Sequence, residues 1–271
     1  MLKGKNAVVY GVSDSLGGAV AKAFAAHGAT VYVTALRIEN AQKIANEIKA
    51  AGGTAIPAQV DALDAKAAQD HLNDLVSKSN HLDISFNLIN NKSIQNIPLV
   101  DMDLEDFVRP IDISMRTQFI TNTAAARIMI KQGSGIILSL TATPGGIGYP
   151  NVGGFGPACT AMESLTRDLG AELGPHGVRV VTIRSGGSLD SRPFKEALES
   201  GNPEVPGFFE KMKADTMLKD MPAMVDIANT AVFLASDMGR MITGVVVDVT
   251  AGTTAALNFK APNVAFVNKK Y

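Results

Sequence analysis

The sequence predicts an α/β fold: one domain built on a doubly wound parallel sheet of about seven strands, with helices on both faces. Three observations predict it. Strand-like and helix-like runs alternate from end to end, as a parallel sheet with crossover helices requires. Tyr10-Gly11-Val12-Ser13-Asp14-Ser15-Leu16-Gly17-Gly18 follows the apolar run Ala7 to Val9 and opens the alanine-rich segment Ala19 to His27. A strand, a glycine turn and a helix start in that order form a phosphate cradle. Finally, 271 residues with 46% hydrophobic and 19% charged content supply one large core without a second domain.

Strands are read in order as short apolar or β-branched runs at 6–10, 29–34, 54–59, 83–88, 134–140, 178–184 and 244–249. Helices are read between them at 16–27, 39–51, 64–78, 103–131, 154–173 and 224–236. Gly28, Gly52-Gly53, Gly133 and Gly177 stand at helix-to-strand junctions, where a left-handed cap is expected. The domain spans 1–252. Within it, Gly186 to Pro222 interrupts two short helical segments with Gly, Pro and charged residues, as active-site lids after late strands do. A tail, 253–271, follows, with Leu257, Phe259, Val264 and Phe266 available to pack on a neighbouring subunit or to fray.

Composition excludes several functions. The formal net charge of −1 lacks the basic footprint of a nucleic-acid binder. No apolar run reaches membrane-spanning length, and residues 1–6 lead into the first strand without a signal-peptide core, so a cytoplasmic location is expected. The one cysteine, Cys159, permits no internal disulfide, and His27, His71, His81 and His176 show no metal-ligand spacing. Small molecules and self-association remain as partners.

Further motifs narrow the class. Val60-Asp61-Ala62, Leu82-Asp83-Ile84, Glu172-Leu173-Gly174-Pro175-His176-Gly177-Val178, Phe233-Leu234-Ala235-Ser236-Asp237 and Thr243-Gly244 before Val249 follow the glycine turn in order. With that turn they make the chain resemble the short-chain dehydrogenase/reductase family from Leu2 to about Gly252, and the resemblance implies a Rossmann-type fold. It also implies an NAD or NADP site at Gly11, Ser13, Ser15, Leu16, Gly17, Arg37, Asp61, Ala62, Asn87 and Gly186. Two features of that site are altered. Ser15 replaces the family's middle glycine, and Ala35 replaces the acid that would bind the adenosine ribose. Arg37 suits a 2′-phosphate, whereas Asp14 in the turn would repel one.

The family's catalytic residues are an asparagine, a serine, a tyrosine and a lysine. Those positions fall on Ser114, Ala142, Phe155 and Cys159. Nor does the enoyl-reductase branch fit, since Val152 stands where its tyrosine would be. Phenylalanine has no proton to give, and a lost acid–base group costs about 10² to 10⁴ in rate. Tyr149, Thr141 and Thr143 are the candidate substitute donors. Three readings follow: a dinucleotide-binding relative without ordinary carbonyl-reductase chemistry; an NAD(P)-dependent oxidoreductase with a relocated donor; and non-redox chemistry or ligand binding in the old pocket. The resemblance also implies a homodimer or homotetramer through helices 103–131 and 154–173. On these helices the apolar stripe of Phe119, Ile120, Ala124, Ile128, Leu165, Leu169 and Leu173 is read as core or interface.

Overall fold

The computed structural model describes residues 1–255. The expectation for the tail residues Leu257, Phe259, Val264 and Phe266 lies outside them. Seven strands form one parallel sheet: β1 (Asn6–Tyr10), β2 (Thr30–Ala35), β3 (Thr54–Gln59), β4 (Ile84–Asn87), β5 (Gly135–Ala142), β6 (Val178–Ser185) and β7 (Val245–Val249). Their order is β3-β2-β1-β4-β5-β6-β7. The strand order reverses between β1 and β4, where Tyr10 pairs with both Thr34 and Asn87.

The helices are α1 (Leu16–Ala26), α2 (Ile38–Ala50), α3 (Ala65–Ser79), α4 (Leu104–Gln132), α5 (Phe155–Leu173), α6 (Arg192–Glu199), α7 (Glu204–Asp215) and α8 (Met224–Ala235). Alternation along each strand sends successive side chains to opposite faces. One core layer therefore joins Val9, Val31 and Phe86 to Phe24 of α1, Ile44 of α2 and Ile227 of α8. The other joins Val8, Tyr32 and Ile137 to Leu72 of α3, Ala124 of α4 and Leu169 of α5.

Helix ends follow the glycine signals with two differences. Gly28, Gly52, Gly133 and Gly177 have positive φ, but Gly53 does not. Gly53 is needed for space instead, since a Cβ there would lie 2.9 Å from Ile48 Cγ2. Asn80 ends α3 in the left-handed conformation that short polar side chains tolerate. The apolar stripe on the two long helices also divides. Ala124, Leu169 and Leu173 are core, whereas Phe119 on α4 is 58% exposed.

Candidate functional site

The carboxyl ends of β1 and β4 flank the crevice in which open α/β sheets place ligands. Gly11 turns the chain out of β1 at φ +78°, and a Cβ there would lie 2.8 Å from Ile89 Cα. Its N–H and that of Val12 donate to Thr34 O, which holds the turn to β2. Gly17 packs as closely, its added Cβ falling 2.7 Å from Gly11 O. These contacts bring Val12–Leu16 over the strand ends. Ser15 occupies the N-cap of α1 and makes no side-chain cap hydrogen bond, and the first turn has no acid. By contrast, Asp64 caps α3 by accepting from the N–H groups of Lys66 and Ala67. The start of α1 thus keeps both its unsatisfied N–H groups and its positive end without a side-chain partner.

Beside this turn, Ala35 ends β2 in a buried position while Leu36 and Leu63 expose apolar surface, 63% and 47%. Arg37 is exposed at the N-cap of α2. Asp61 accepts from Leu63 N–H at 2.9 Å, and Ala62 is buried. Lys43 of α2 pairs with Asp14 at 2.6 Å, so the Asp14 charge has a cationic partner beside the turn.

At the ends of β4, β5 and β6 the polar side chains mostly bind one another. Asn87 donates to Thr121 Oγ1 at 3.0 Å and accepts from Ile89 N–H at 3.0 Å. Ser114 accepts from Asn91 Nδ2 at 3.1 Å. Gly186 donates its N–H to Val249 O and packs on Thr250 too closely for a Cβ. Phe155 opens α5, and one turn later Cys159 is fully buried. Burial pushes that thiol up to about 12. A neutral, enclosed thiol is no nucleophile.

Three residues here escaped the sequence reading. Glu163 Oε1 accepts from Thr141 Oγ1 at 2.8 Å and from Arg184 Nε at 2.9 Å, and Glu163 Oε2 accepts from Arg184 Nη2 at 2.6 Å. Arg184 also reaches Asp248 at 2.9 Å. Side-chain exposure is 5% for Glu163 and 11% for Arg184, so this ion pair is inside the protein. A signal existed: Glu163 follows Phe155 and Cys159 at spacings of four on a buried helix face, and Arg184 interrupts an apolar strand. Charges in such places require partners.

The candidate donors differ in circumstance. The Thr141 hydroxyl donates its hydrogen bond to Glu163. Thr143 is buried, and its backbone carbonyl accepts from Gly146 and Ile147. Tyr149 is half-buried in the loop before α5. Its phenol is pushed above the ordinary range first by burial and then by the nearby Asp215 carboxylate of α7. Among the described residues no cluster of His, Cys, Asp and Glu is suited to a metal ion, and no helix is long and apolar enough to cross a membrane.

Comparison with known proteins matches residues 11–254 to the family described as Enoyl-(Acyl carrier protein) reductase. The chain is 28% identical over 258 residues to 7alpha-hydroxysteroid dehydrogenase of Escherichia coli K12, covering 95% of this chain and 97% of that protein. It is 29% identical over 250 residues to the 3-oxoacyl-(acyl-carrier-protein) reductase FabG of Staphylococcus aureus, covering 92% and 97%. The crystal structure of a short-chain type dehydrogenase/reductase from Mycobacterium marinum superposes with a TM-score of 0.80 at 27% identity, over 94% of this chain and 96% of that one.

Proposed function

The chain belongs to the short-chain dehydrogenase/reductase family, and from that premise we propose that it binds NADP, and NAD more weakly, but lacks the Ser-Tyr-Lys route to carbonyl reduction. Members of this family generally bind NAD(P), act on small molecules and commonly form oligomers. The observation that carries the proposal is the uncapped start of α1 beside a glycine turn that brings backbone over the strand ends. That arrangement suits a pyrophosphate. Leu36 and Leu63 supply apolar surface for an adenine. Arg37 supplies a guanidinium for a 2′-phosphate, and Lys43 offsets the opposing charge of Asp14.

A bound nicotinamide would supply or accept hydride at the far end of this crevice. In the proposed alignment, the residues that should handle the accompanying proton are Ala142, Phe155 and Cys159. None of these presents an ionisable proton near neutral pH: the first two have no such group, and the thiol is held neutral. The buried Arg184 guanidinium does not replace the missing lysine, because Glu163 and Asp248 already occupy it.

Titration calorimetry tests the reading. NADPH is expected to bind at micromolar affinity, about tenfold tighter than NADH, with the difference shrinking as salt is raised, as a charge-assisted contact requires. Absence of binding to both by folded protein would overturn it. The relatives' names, a dehydrogenase and a reductase, favour a second reading as an oxidoreductase; in this chain its donor would be Tyr149. Its raised phenol makes that reading the weaker one, and NADPH oxidation with carbonyl substrates, abolished by Tyr149→Phe, would establish it.

A further inference from the structure

We infer that a cavity at the amino ends of β1, β4, β5 and β6, on the opposite edge of the sheet from the glycine turn, binds a small organic oxyanion between Arg179 and Arg240. The cavity has a volume of about 370 Å³. Lys5 before β1, Asp83 before β4, Gly174 after α5, Arg179 in β6, and Asp237 and Arg240 after α8 are among its lining residues. At roughly 30 Å³ per water it has room for on the order of a dozen non-hydrogen atoms, the lower end of the range for small-molecule sites.

Its charges are unequally partnered. Asp83 is saturated, since it accepts from Asn6 N–H at 2.7 Å and pairs with Lys5 at 3.3 Å and His81 at 3.0 Å. Arg179 has no such carboxylate. Its half-buried guanidinium donates to two backbone carbonyls, Leu234 O at 2.7 Å and Ile242 O at 3.2 Å, which leaves three of its five N–H groups for a ligand. Burial lowers its proton affinity, and Asp237, which makes no ion pair with it, offsets only part of that cost. Arg240 is exposed and pairs with no carboxylate among the described residues. Three cations thus face two acids, and the two arginines are the groups left without an anion. A guanidinium held by two carbonyls is fixed in its plane, and its fork geometry matches the oxygens of a carboxylate or a phosphate ester.

Titration calorimetry with citrate, glycerol 3-phosphate and inorganic phosphate, at one ionic strength kept with sodium chloride, tests this without nucleotide. Citrate or glycerol 3-phosphate is expected to bind in the submillimolar range, and the tighter of the two identifies the source of the oxyanion as carboxylate or phosphate ester. Arg240→Glu should weaken that binding at least about tenfold. A second variant, Gly174→Glu, should do the same by placing a competing carboxylate at the cavity wall. Gly174 has φ −54°, and a Cβ there would meet nothing within 4 Å, so that substitution is unstrained. Circular dichroism should be unchanged in both. No binding of either organic anion, or unchanged affinity in both variants, would overturn the inference. So would binding lost in Arg37→Ala and kept in Arg240→Glu, which would assign the anion to the crevice beside the glycine turn.

Discussion

Glu163 and Arg184 face each other in a nearly dry layer beside the family's catalytic positions, which makes each of them costly to remove singly. Removing one partner leaves the other charge buried and unpaired. Glu163→Leu or Arg184→Met alone should therefore lower unfolding free energy by about 3–5 kcal/mol, and the double substitution by much less than the sum. Urea denaturation of the four proteins checks this. Cys159 gives a second residue-scale outcome. Its ordinary value of 9.0 is raised to about 12 by burial, so in alkali the unfolded chain loses the thiol proton before the folded one does. The unfolded state then binds fewer protons, and the stability this group contributes below pH 9 falls as pH rises towards 12, by up to about 1.4 kcal/mol per unit. Below pH 9 the same burial should leave Cys159 unlabelled by a thiol reagent until denaturant is added.

At the scale of elements, the start of α1 has two possible partners, a side-chain cap or a ligand phosphate. Ser15→Asp separates them. A carboxylate at the N-cap should stabilise the helix by about 0.5–1 kcal/mol, while its charge repels a pyrophosphate from the same N–H groups. Thermal unfolding should shift upward as NADPH affinity falls by at least about tenfold. A variant that gains stability and still binds NADPH would place the pyrophosphate elsewhere. The sheet face beneath α4 and α5 shows a further economy. Asn87, Ser139 and Thr182 stand side by side across β4, β5 and β6. They bind Thr121, Gln118 and Thr166 at 3.0, 2.9 and 2.6 Å. A polar row thus crosses the core without leaving its main groups unpaired, which registers the two long helices against the sheet.

For the whole molecule, α4 carries Phe119 58% exposed near its middle, and the same helix also exposes Leu104, Val108 and Ile130. A self-associating chain would use such a residue at the centre of an isologous contact. Phe119→Glu should shift the protein from dimer or tetramer to monomer in sedimentation velocity, with the circular dichroism of the fold unchanged. An unaltered sedimentation coefficient would remove the α4 face from the interface.

The alternation of apolar runs, the glycine turn at Gly11 and the junction glycines were enough to read seven strands in one parallel sheet, because each depends on neighbours a few residues away. The sheet's strand ends differ from that reading by one or two residues, where cap geometry rather than periodicity decides. The family was legible for the same local reason, being carried by short motifs in a given order. What the positions around the crevice do was not legible. Asp14 was read only as opposing a 2′-phosphate and Thr141 only as a candidate donor; that α2 brings Lys43 to the first and α5 brings Glu163 to the second appears only in the packing. Pairings across 29 and 22 residues depend on how helices lie on the sheet, and a buried charge is tolerated only where that packing delivers its partner. Local pattern determined the scaffold and its glycine turn; tertiary packing alone decided which polar groups around the crevice are already paired.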